Sequence, residues 1–560
     1  MLKKLKNPPT LAKDTLRIVP LGGLGDIGRN MTSFELNGQY LVIDCGVMFP
    51  SNDQPGVDLI LPAFQLIDTH LDKVQALILT HGHEDHIGAV PYLLRLREDI
   101  PIYGSALTLA LLRAKLREHR IHNPDLRIVK EKDQVEIGEF QLEFLAVNHS
   151  IPDALAVFGR TTAGTFLHTG DFKMDQLPLD RRLTDLNSFA RIGDGGLDLL
   201  LTDSTNADIP GFTAHERDIE PALERVFANA KKKLIVACFA SHVHRVQQIM
   251  DLAARFKRKV VYVGRSMSRN MSVAAELGYL RVPPGILVDL NSIDKYPDDK
   301  LVFISTGSQG EPLSALSRIS NQEHPDIEAG VGDVVLLASS MIPGNESSVY
   351  RVINALMCNG VHVIHRNNAL VHVSGHASAG ELLYCYNTIK PRNVLPMHGE
   401  LRHLIANADL AVLTGVPRER TLVIDDGTVV DLAGHTAQIV GKLEAEYIFV
   451  DGSSVGDVGD AELTDRKILG EHGFLTVVAV VNFDTKAIVS GPAVYAKGFA
   501  GREEVFAEVN PELTAALQQA LESGVNDNYQ LQQLMRRTIG RWVSAKHQLR
   551  PMILPIVLAG

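Results

Sequence analysis

Short apolar runs separated by polar turns dominate the beginning of the chain. Residues 16–22, 32–37 and 40–44 each have the length and composition of a buried strand. The Asn37-Gly38 dipeptide between the last two runs is typical of a tight hairpin turn. The pattern therefore predicts a sheet that starts with sequential short strands.

Later apolar runs predict strands that end at a histidine or an aspartate. Residues of this kind follow four of these runs, at His81, His149, Asp171 and Asp203. Polar side chains at successive strand ends suggest one site built along one edge of a sheet.

The pattern of apolar and polar residues changes between residues 215 and 365. There β-rich runs such as KKLIVACFA and KVVYVG alternate with amphipathic segments such as HRVQQIMDLAARF. Regular alternation of this kind predicts a parallel sheet with helices on its faces. The earlier pattern of strand followed by histidine returns in residues 368–378 and 393–400. The parallel α/β domain is therefore predicted to be inserted into the first domain.

The last part of the chain has its own pattern. A polar, glycine-containing stretch predicts a linker, and two apolar runs followed by two helical patterns predict a small α/β domain. The predicted domains are a first domain in two parts, 1–214 and 366–450, an inserted domain, 215–365, a linker, 451–466, and a C-terminal α/β domain, 467–560.

Composition indicates a soluble protein of several domains. The chain has 560 residues, too many for one core, and no apolar run approaches the ~20 residues that a membrane helix needs. No apolar signal-peptide core follows the basic N-terminus. The four cysteines are scattered, which favours a reducing cytoplasm over a disulfide framework. We therefore expect a cytoplasmic protein that does not act at a membrane.

The net charge of −11 disfavours nucleic acid as a partner, but only weakly. Binding responds to local potential, and a basic groove or a pair of metal ions can hold RNA on an acidic protein.

Gly23, Gly25 and Gly28 form a G-x-G-x-x-G motif after an apolar run, with Asp44 about twenty residues further on. This motif is typical of dinucleotide-binding loops, which must open a helix so that the pyrophosphate meets the helix N-terminus. A hairpin pattern follows here instead of a helix. The glycines are therefore predicted to form a tight loop beside a site.

The stretch THGHEDHIGAV, 80–90, carries the strongest chemical signal. His81, His83, Asp85 and His86 fall within six residues, in a loop that follows a buried strand. Neutral imidazole and carboxylate suit zinc or manganese, and a site with an open coordination position is catalytic. The alternative, a solvated polar loop, does not explain three histidines so close together.

The stretch 80–90 resembles the signature loop of the metallo-β-lactamase fold, which packs two β-sheets between helices. By this resemblance His149 corresponds to a further histidine ligand and Asp171 to the aspartate that bridges two metal ions. Asp44 resembles the aspartate that orients the histidine loop, and it is implied to support catalysis.

Three later motifs, LTDST with Asp203, HVSGHAS and LPMHGE, resemble the β-CASP subgroup, which acts on nucleic acids. Within that subgroup GGLGDIGRN, FASHVHR, STGSQGEP and the glycine-containing linker resemble the bacterial ribonuclease J family. The family often has glutamate where Asp26 stands. The fold implied is α/β: a metallo-β-lactamase αββα sandwich with an inserted β-CASP parallel-sheet α/β domain and a small C-terminal α/β domain.

The resemblance implies two divalent metal ions, zinc or manganese, in each chain. The first would be held by His81, His83 and His149, the second by Asp85, His86 and His398, with Asp171 bridging. A two-metal hydroxide attack on the phosphodiester is then implied, in which Asp85 and His376 also take part. Asp58 and Asp451 resemble positions that hold a structural calcium in some relatives.

The HVSGH segment resembles a pocket for a 5′-monophosphate. Its residues would be His372, Val373, Ser374, Gly375 and His376, closed on the other side by Ser241, His242 and Val243. Such a pocket implies 5′-to-3′ exonuclease activity on single-stranded 5′-monophosphorylated RNA, in addition to endonuclease activity, in RNA maturation and decay. His376 could serve mainly as the general acid or mainly as a phosphate ligand.

Two other functions are compatible with the fold. A small-molecule hydrolase, such as a thioesterase or lactamase, would need neither the insertion nor HVSGH, and a non-catalytic scaffold would not need all seven metal ligands. Family analogy further implies a homodimer, or a tetramer, formed by the tail domain, and contacts with RNA degradosome components.

Overall fold

The computed structural model describes most of the chain and divides it into two compact units. The first unit comprises Met1–Phe49 and Ile60–Ile448, and the second comprises Pro50–Leu59 and Phe449–Gly560. No helix in the described part of the chain is long and apolar enough to cross a membrane. The described residues are 3–51, 53–311, 313–341, 345–498 and 503–560.

The strands and helices are numbered in chain order. The strands are β1 (Leu16–Gly22), β2 (Met31–Leu36), β3 (Gln39–Ile43), β4 (Leu59–Leu61), β5 (Val74–Ile78), β6 (Ile102–Gly104), β7 (Leu126–Ile128), β8 (Gln134–Ile137), β9 (Phe140–Ala146), β10 (Leu155–Thr161), β11 (Gly164–His168), β12 (Leu199–Asp203), β13 (Leu234–Ala237), β14 (Lys259–Val263), β15 (Leu301–Ser305), β16 (Val334–Leu337), β17 (His362–Ile364), β18 (Asn393–Met397), β19 (Thr428–Ala433), β20 (Thr436–Lys442), β21 (Ile448–Asp451), β22 (Ser454–Val455), β23 (Phe474–Asn482), β24 (Ala487–Lys497) and β25 (Met552–Ala559). The helices are α1 (Glu84–Ile87), α2 (Val90–Leu96), α3 (Ala106–Glu118), α4 (Leu186–Gly195), α5 (Glu220–Asn229), α6 (Val243–Arg255), α7 (Arg265–Glu276), α8 (Ala315–Ser320), α9 (Glu346–Cys358), α10 (Ala379–Ile389), α11 (Leu401–Leu413), α12 (Asp460–His472), α13 (Asn510–Glu522) and α14 (Asn528–His547).

Two sheets form the centre of the first unit. One has the strand order β20-β19-β1-β2-β3-β5-β6-β7, and the other has the order β18-β12-β11-β10-β9-β8. Their inner faces share one hydrophobic core, in which the rings of Phe34 and Phe166 stack with centroids 4.6 Å apart. Helices α4, α10 and α11 pack on the outer face of the second sheet. This is the αββα sandwich predicted from the sequence.

The inserted segment forms a separate parallel sheet with the order β14-β15-β13-β16-β17. Its core combines strand residues with apolar residues of α8 and α9. The alternation of apolar runs and amphipathic segments therefore predicted the right class of structure. Residue 312, in the STGSQGEP motif (305–312), lies outside the described residues.

The second unit contains a three-stranded sheet, β24-β23-β25, with α13 and α14 packed against it. The stretch 451–466 differs from the predicted linker. Val450 pairs with Val455 in a hairpin of β21 and β22, and α12 begins at Asp460. Only Leu463 of α12 is buried. The helix therefore has no periodic row of apolar residues by which the sequence could reveal it.

Candidate metal centre

The predicted metal ligands lie along one edge of the two central sheets. Strands β11, β12 and β18 are parallel neighbours, so their carboxyl ends meet at the same edge. Asp171 follows β11, Asp203 ends β12, and His398 follows β18 directly. The histidine-rich loop follows β5 of the facing sheet.

The first group of ligand atoms consists of three imidazoles and one carboxylate. His83 Nδ1 lies 3.0 Å from His81 Nε2 and 3.0 Å from His149 Nε2. Asp171 Oδ2 lies 3.7 Å from His81 Nε2 and 3.8 Å from His149 Nε2. All four ligand atoms lie within 4.8 Å of one another, which is the spacing that a shared metal ion requires.

The second group shares Asp171 with the first. His86 Nε2 lies 3.2 Å from Asp171 Oδ2 and 3.6 Å from Asp85 Oδ2. His398 Nδ1 lies 3.2 Å from Asp171 Oδ1, and its Nε2 lies 3.4 Å from Asp85 Oδ2. The structure therefore brings together all seven predicted ligands in two adjacent groups with one common carboxylate. A third group of candidate ligand atoms, from Asp171, Asp203, His376 and His398, overlaps the second.

The histidines of the two groups differ in the direction of their pKa shifts. Burial lowers the pKa of His83 to about 4 and holds the pKa values of His81 and His149 well below the ordinary value. Burial also lowers the pKa of His86, but Asp171 and Asp85 outweigh it, so this pKa lies well above its ordinary value. The first group thus offers neutral imidazole lone pairs, and the second group attracts positive charge.

Asp44 fixes the orientation of the histidine loop. Its carboxylate accepts hydrogen bonds from Thr80 N at 2.8 Å and from Thr80 Oγ1 at 2.9 Å, and it lies 2.8 Å from His86 Nδ1. A proton on His86 Nδ1 donated to Asp44 leaves Nε2 free to bind a metal ion. Asp44 thus lies where it can orient the histidine loop, which is the role that the resemblance implied.

The donor set suits divalent metal ions. Imidazole nitrogens and carboxylate oxygens are the preferred ligands of zinc and also suit manganese. His398 Nε2 is buried and makes no hydrogen bond within the described residues, although it faces Asp85. A buried polar atom without a hydrogen bond is costly, and a metal ion at this position would satisfy it.

His376 lies beside the two ligand groups and is held by Asp203. Its Nδ1 is 2.8 Å from Asp203 Oδ2 and 4.0 Å from Asp171 Oδ2. Burial lowers the pKa of His376, but Asp203 outweighs this effect and raises it. Asp203 thus holds His376 with a proton on Nδ1 and leaves Nε2 for a second partner.

The glycine motif forms a loop between β1 and β2 with no helix after it. Gly23, Gly25 and Gly28 have positive φ angles of 98°, 85° and 129°, which glycine adopts without strain. Gly25 N donates to Gly399 O at 3.0 Å, and the Asn30 side chain donates to Asp85 O at 3.1 Å. The loop therefore lies beside the metal centre, as predicted.

The segment predicted to bind a 5′-phosphate faces the start of α6. The rings of His372 and His242 have centroids 5.8 Å apart, and both side chains are buried. His372 Nδ1 and both ring nitrogens of His242 have no hydrogen-bond partner within the described residues. Burial holds the pKa of each ring well below its ordinary value.

The remaining predicted pocket residues adjoin these rings in the chain. Ser374 Oγ accepts a hydrogen bond from His376 N at 3.2 Å, and a Cβ on Gly375 would meet His149 Nδ1 at 2.8 Å. Gly375 therefore allows the close approach of His149, a role that the sequence did not reveal. The other predicted members of the pocket are Ser241, which is partly exposed, and Val243 and Val373, which are buried.

The start of α10, the helix after the pocket segment, is capped by a carboxylate of the same helix. Glu381 accepts a hydrogen bond from Ser378 N at 2.8 Å and from Met174 N at 2.8 Å. Its carboxylate already occupies the N-terminal end of α10, so the helix terminus is not free to receive a phosphate.

Three charged residues near the pocket escaped the sequence analysis. Lys173, Glu216 and Arg245 are fully buried, and both cations pair with Glu216. Arg245 is the last residue of FASHVHR but was given no role there, and Lys173 and Glu216 belong to none of the motifs. Only the dense polar stretch after Asp171 signals that Lys173 lies near the site.

The predicted calcium ligands lie in the second unit. Asp58 Oδ2 accepts a hydrogen bond from Gly452 N at 2.7 Å, and Asp451 forms an ion pair with Arg466. Neither aspartate belongs to a group of three or more candidate metal ligands within the described residues. The calcium site stays a prediction.

Comparison with known families accounts for most of the chain. Four family models match it: "Metallo-beta-lactamase superfamily", "Ribonuclease J, beta-CASP domain", "Zn-dependent metallo-hydrolase RNA specificity domain" and "Ribonuclease J C-terminal domain", over residues 24–204, 231–356, 360–418 and 461–559 respectively.

Full-length relatives carry the same name. Ribonuclease J of Mycolicibacterium smegmatis is 49% identical over 559 residues, which are 100% of both chains. Ribonuclease J of Mycobacterium tuberculosis is 49% identical over 554 residues, 99% of each chain. A crystal structure of a protein of unknown function from Enterococcus faecalis, 15% identical, matches with a TM-score of 0.51 over 75% of this chain and 100% of its own. The chain therefore belongs to the ribonuclease J family and is a nuclease with the metallo-β-lactamase fold.

Proposed function

We propose that this metal-dependent ribonuclease is a 5′-to-3′ exonuclease on 5′-monophosphorylated RNA and also an endonuclease, acting in RNA maturation and decay. The observation that carries the proposal is the pair of ligand groups that share Asp171. Two metal ions held by groups that share a carboxylate would suit the displacement of an oxygen at a phosphodiester.

The residues around the ligand groups support this chemistry. Two divalent ions held there, zinc or manganese, would lower the pKa of water and neutralise charge on the phosphodiester. Asp44 fixes the ring of His86, and Thr80 Oγ1 lies 3.0 Å from His81 Nδ1. His376, held by Asp203, can donate the proton on Nε2 to the departing oxygen.

The pocket between residues 372–376 and the start of α6 supports preference for a 5′-monophosphate. The buried ring nitrogens of His242 and His372 are available to the phosphate oxygens. The pocket segment lies next to a predicted metal ligand, because Gly375 O is 2.8 Å from His149 Nδ1. A terminal phosphate there would place the adjoining nucleotide towards the metal ligands.

End-labelled RNA tests this function. We expect 5′-monophosphorylated RNA to be degraded much faster than the same RNA with a 5′-triphosphate or a 5′-hydroxyl. His83→Ala should abolish turnover of all three, and the exposed His122→Ala should be the matched control with wild-type rates. Equal rates on the three ends would contradict the pocket, and full turnover by His83→Ala would contradict the metal centre.

We also propose where the protein acts and how it assembles. The protein acts in the cytoplasm on single-stranded RNA, forms a homodimer or tetramer, and contacts components of an RNA degradosome. Size-exclusion chromatography with light scattering tests the oligomeric state, and a monomer at working concentration would contradict it.

A further inference from the structure

Four charged side chains form a buried cluster beneath the predicted phosphate pocket. Lys173, Asp175, Glu216 and Arg245 are exposed by only 1%, 2%, 1% and 0%. Buried charges of this kind persist only when each is paired, so the cluster fixes the positions of the segments that carry it. We call these four residues the buried ion cluster.

Glu216 is the centre of the buried ion cluster. Its Oε1 lies 3.2 Å from Lys173 Nζ, and its Oε2 lies 3.3 Å from an Arg245 guanidinium nitrogen. Burial raises the pKa of Glu216, but Lys173 and Arg245 outweigh it and lower this pKa. Glu216 thus pairs with both buried cations, which come from different parts of the chain, and Asp175 Oδ2 lies 3.8 Å from Lys173 Nζ.

The two cations in turn hold backbone carbonyls of the pocket segment. Lys173 Nζ donates to Ser374 O at 3.1 Å, and Arg245 donates to Val371 O. In a trans peptide the N–H group points away from the carbonyl of the same peptide unit. The N–H groups of residues 372 and 375 are therefore turned away from the buried ion cluster.

The buried ion cluster also links the pocket to the metal centre. Lys173 lies two residues after Asp171, the carboxylate common to both ligand groups. Arg245 lies on α6, whose start carries His242. Glu216 pairs with both Lys173 and Arg245, so it links the metal edge to both sides of the pocket.

We propose that Glu216 is a positioning residue that sets the distance between the metal centre and the 5′-phosphate pocket and thereby the preference for 5′-monophosphorylated RNA. The proposal rests on the proposed function of the pocket. Glu216 touches neither the metal ligand groups nor the predicted phosphate-binding rings within hydrogen-bond distance, and it acts through Lys173 and Arg245.

The test compares the full-length metal-loaded protein with Glu216→Gln. The amide keeps the shape of the side chain but removes the charge that balances the two cations. We expect the ratio of kcat/KM for 5′-monophosphorylated over 5′-hydroxyl RNA to fall about 10- to 100-fold. Cleavage of a circular RNA, which has no 5′ end, and the metal content should change much less.

The matched control is Glu224→Gln. Glu224 pairs with Arg255 at the surface of the same inserted domain, away from the pocket segment. The ratio should stay at the wild-type value in this variant. If Glu216→Gln is insoluble, Arg245→Lys has the same expected effect, because lysine cannot bridge Glu216 and Val371 O with separate nitrogens.

Each outcome decides between the two proposals. A wild-type ratio in Glu216→Gln would overturn the positioning role and leave the proposed function intact. An equal loss of metal and of activity on all RNAs would also overturn it, since Glu216 would then serve only stability. A wild-type protein without any 5′-monophosphate preference would overturn the proposed function, and the positioning role with it.

Discussion

At the scale of single residues, three imidazoles of the metal centre are held by a partner on Nδ1. Thr80 Oγ1 contacts His81 Nδ1, Asp44 contacts His86 Nδ1, and Gly375 O contacts His149 Nδ1. In these three rings a partner on Nδ1 fixes the ring and leaves the lone pair of Nε2 for a metal ion, whereas His83 faces the first ligand group with Nδ1.

Replacement of Asp44 tests this support. Asp44→Ala should lower the affinity for metal by about 10- to 100-fold, because His86 loses the acceptor that orients it. Metal retained after dialysis against graded chelator measures the effect. Asp53→Ala, at an exposed position in the second unit, is the control. Unchanged retention in Asp44→Ala would show that His86 is oriented without it.

Gly46 allows the close approach of the histidine loop. A Cβ at this position would lie 1.6 Å from Asp85 O and 2.5 Å from His86 N. Gly46→Ala should therefore displace both ligands and reduce metal content and RNA turnover together. Gly195→Ala, where a Cβ meets open space, should leave both unchanged. A fully active, metal-replete Gly46→Ala would contradict the close packing.

At the scale of secondary-structure elements, the two sheets are joined by aromatic packing. Phe166 of β11 is fully buried and stacks on Phe34 of β2. Phe166→Ala should lower the free energy of unfolding of this unit by about 3–5 kcal/mol. Urea unfolding measures the change, with the exposed Phe212→Ala as control. Similar losses in both variants would contradict the central role of this contact.

Local sequence patterns predicted which segments form strands and helices better than they predicted which strands pair with one another. The strands that end at or just before Asp171, Asp203 and His398 were predictable because apolar runs stop there at polar residues. The parallel pairing of β12 with β18 joins segments far apart in the sequence, and no local pattern encodes it. Helix α12 was missed because it buries too little apolar surface to show a periodic pattern.

The site was predictable to the extent that its residues form dense motifs. The histidine-rich loop is recognisable because three histidines fall within six residues. Lys173, Glu216 and Arg245 come from separate segments, and a single charged residue is far more often at the surface. Their contacts exist only after folding, so the sequence alone could not identify the buried ion cluster.

At the scale of the whole molecule, charge is arranged locally. The chain carries a net charge of −11, yet the second ligand group attracts positive charge through Asp85 and Asp171. Two divalent ions contribute four positive charges, which exceed the two negative charges of these carboxylates. An acidic protein can therefore hold an RNA phosphodiester at this edge of its sheets.

The metal content of the purified full-length protein tests the central claim most directly. Elemental analysis should find two equivalents of zinc or manganese per active chain, and one or fewer in His398→Ala, because the second ligand group loses an imidazole. Full RNA turnover by wild-type protein that holds no divalent metal, in the presence of excess chelator, would contradict the two-metal centre.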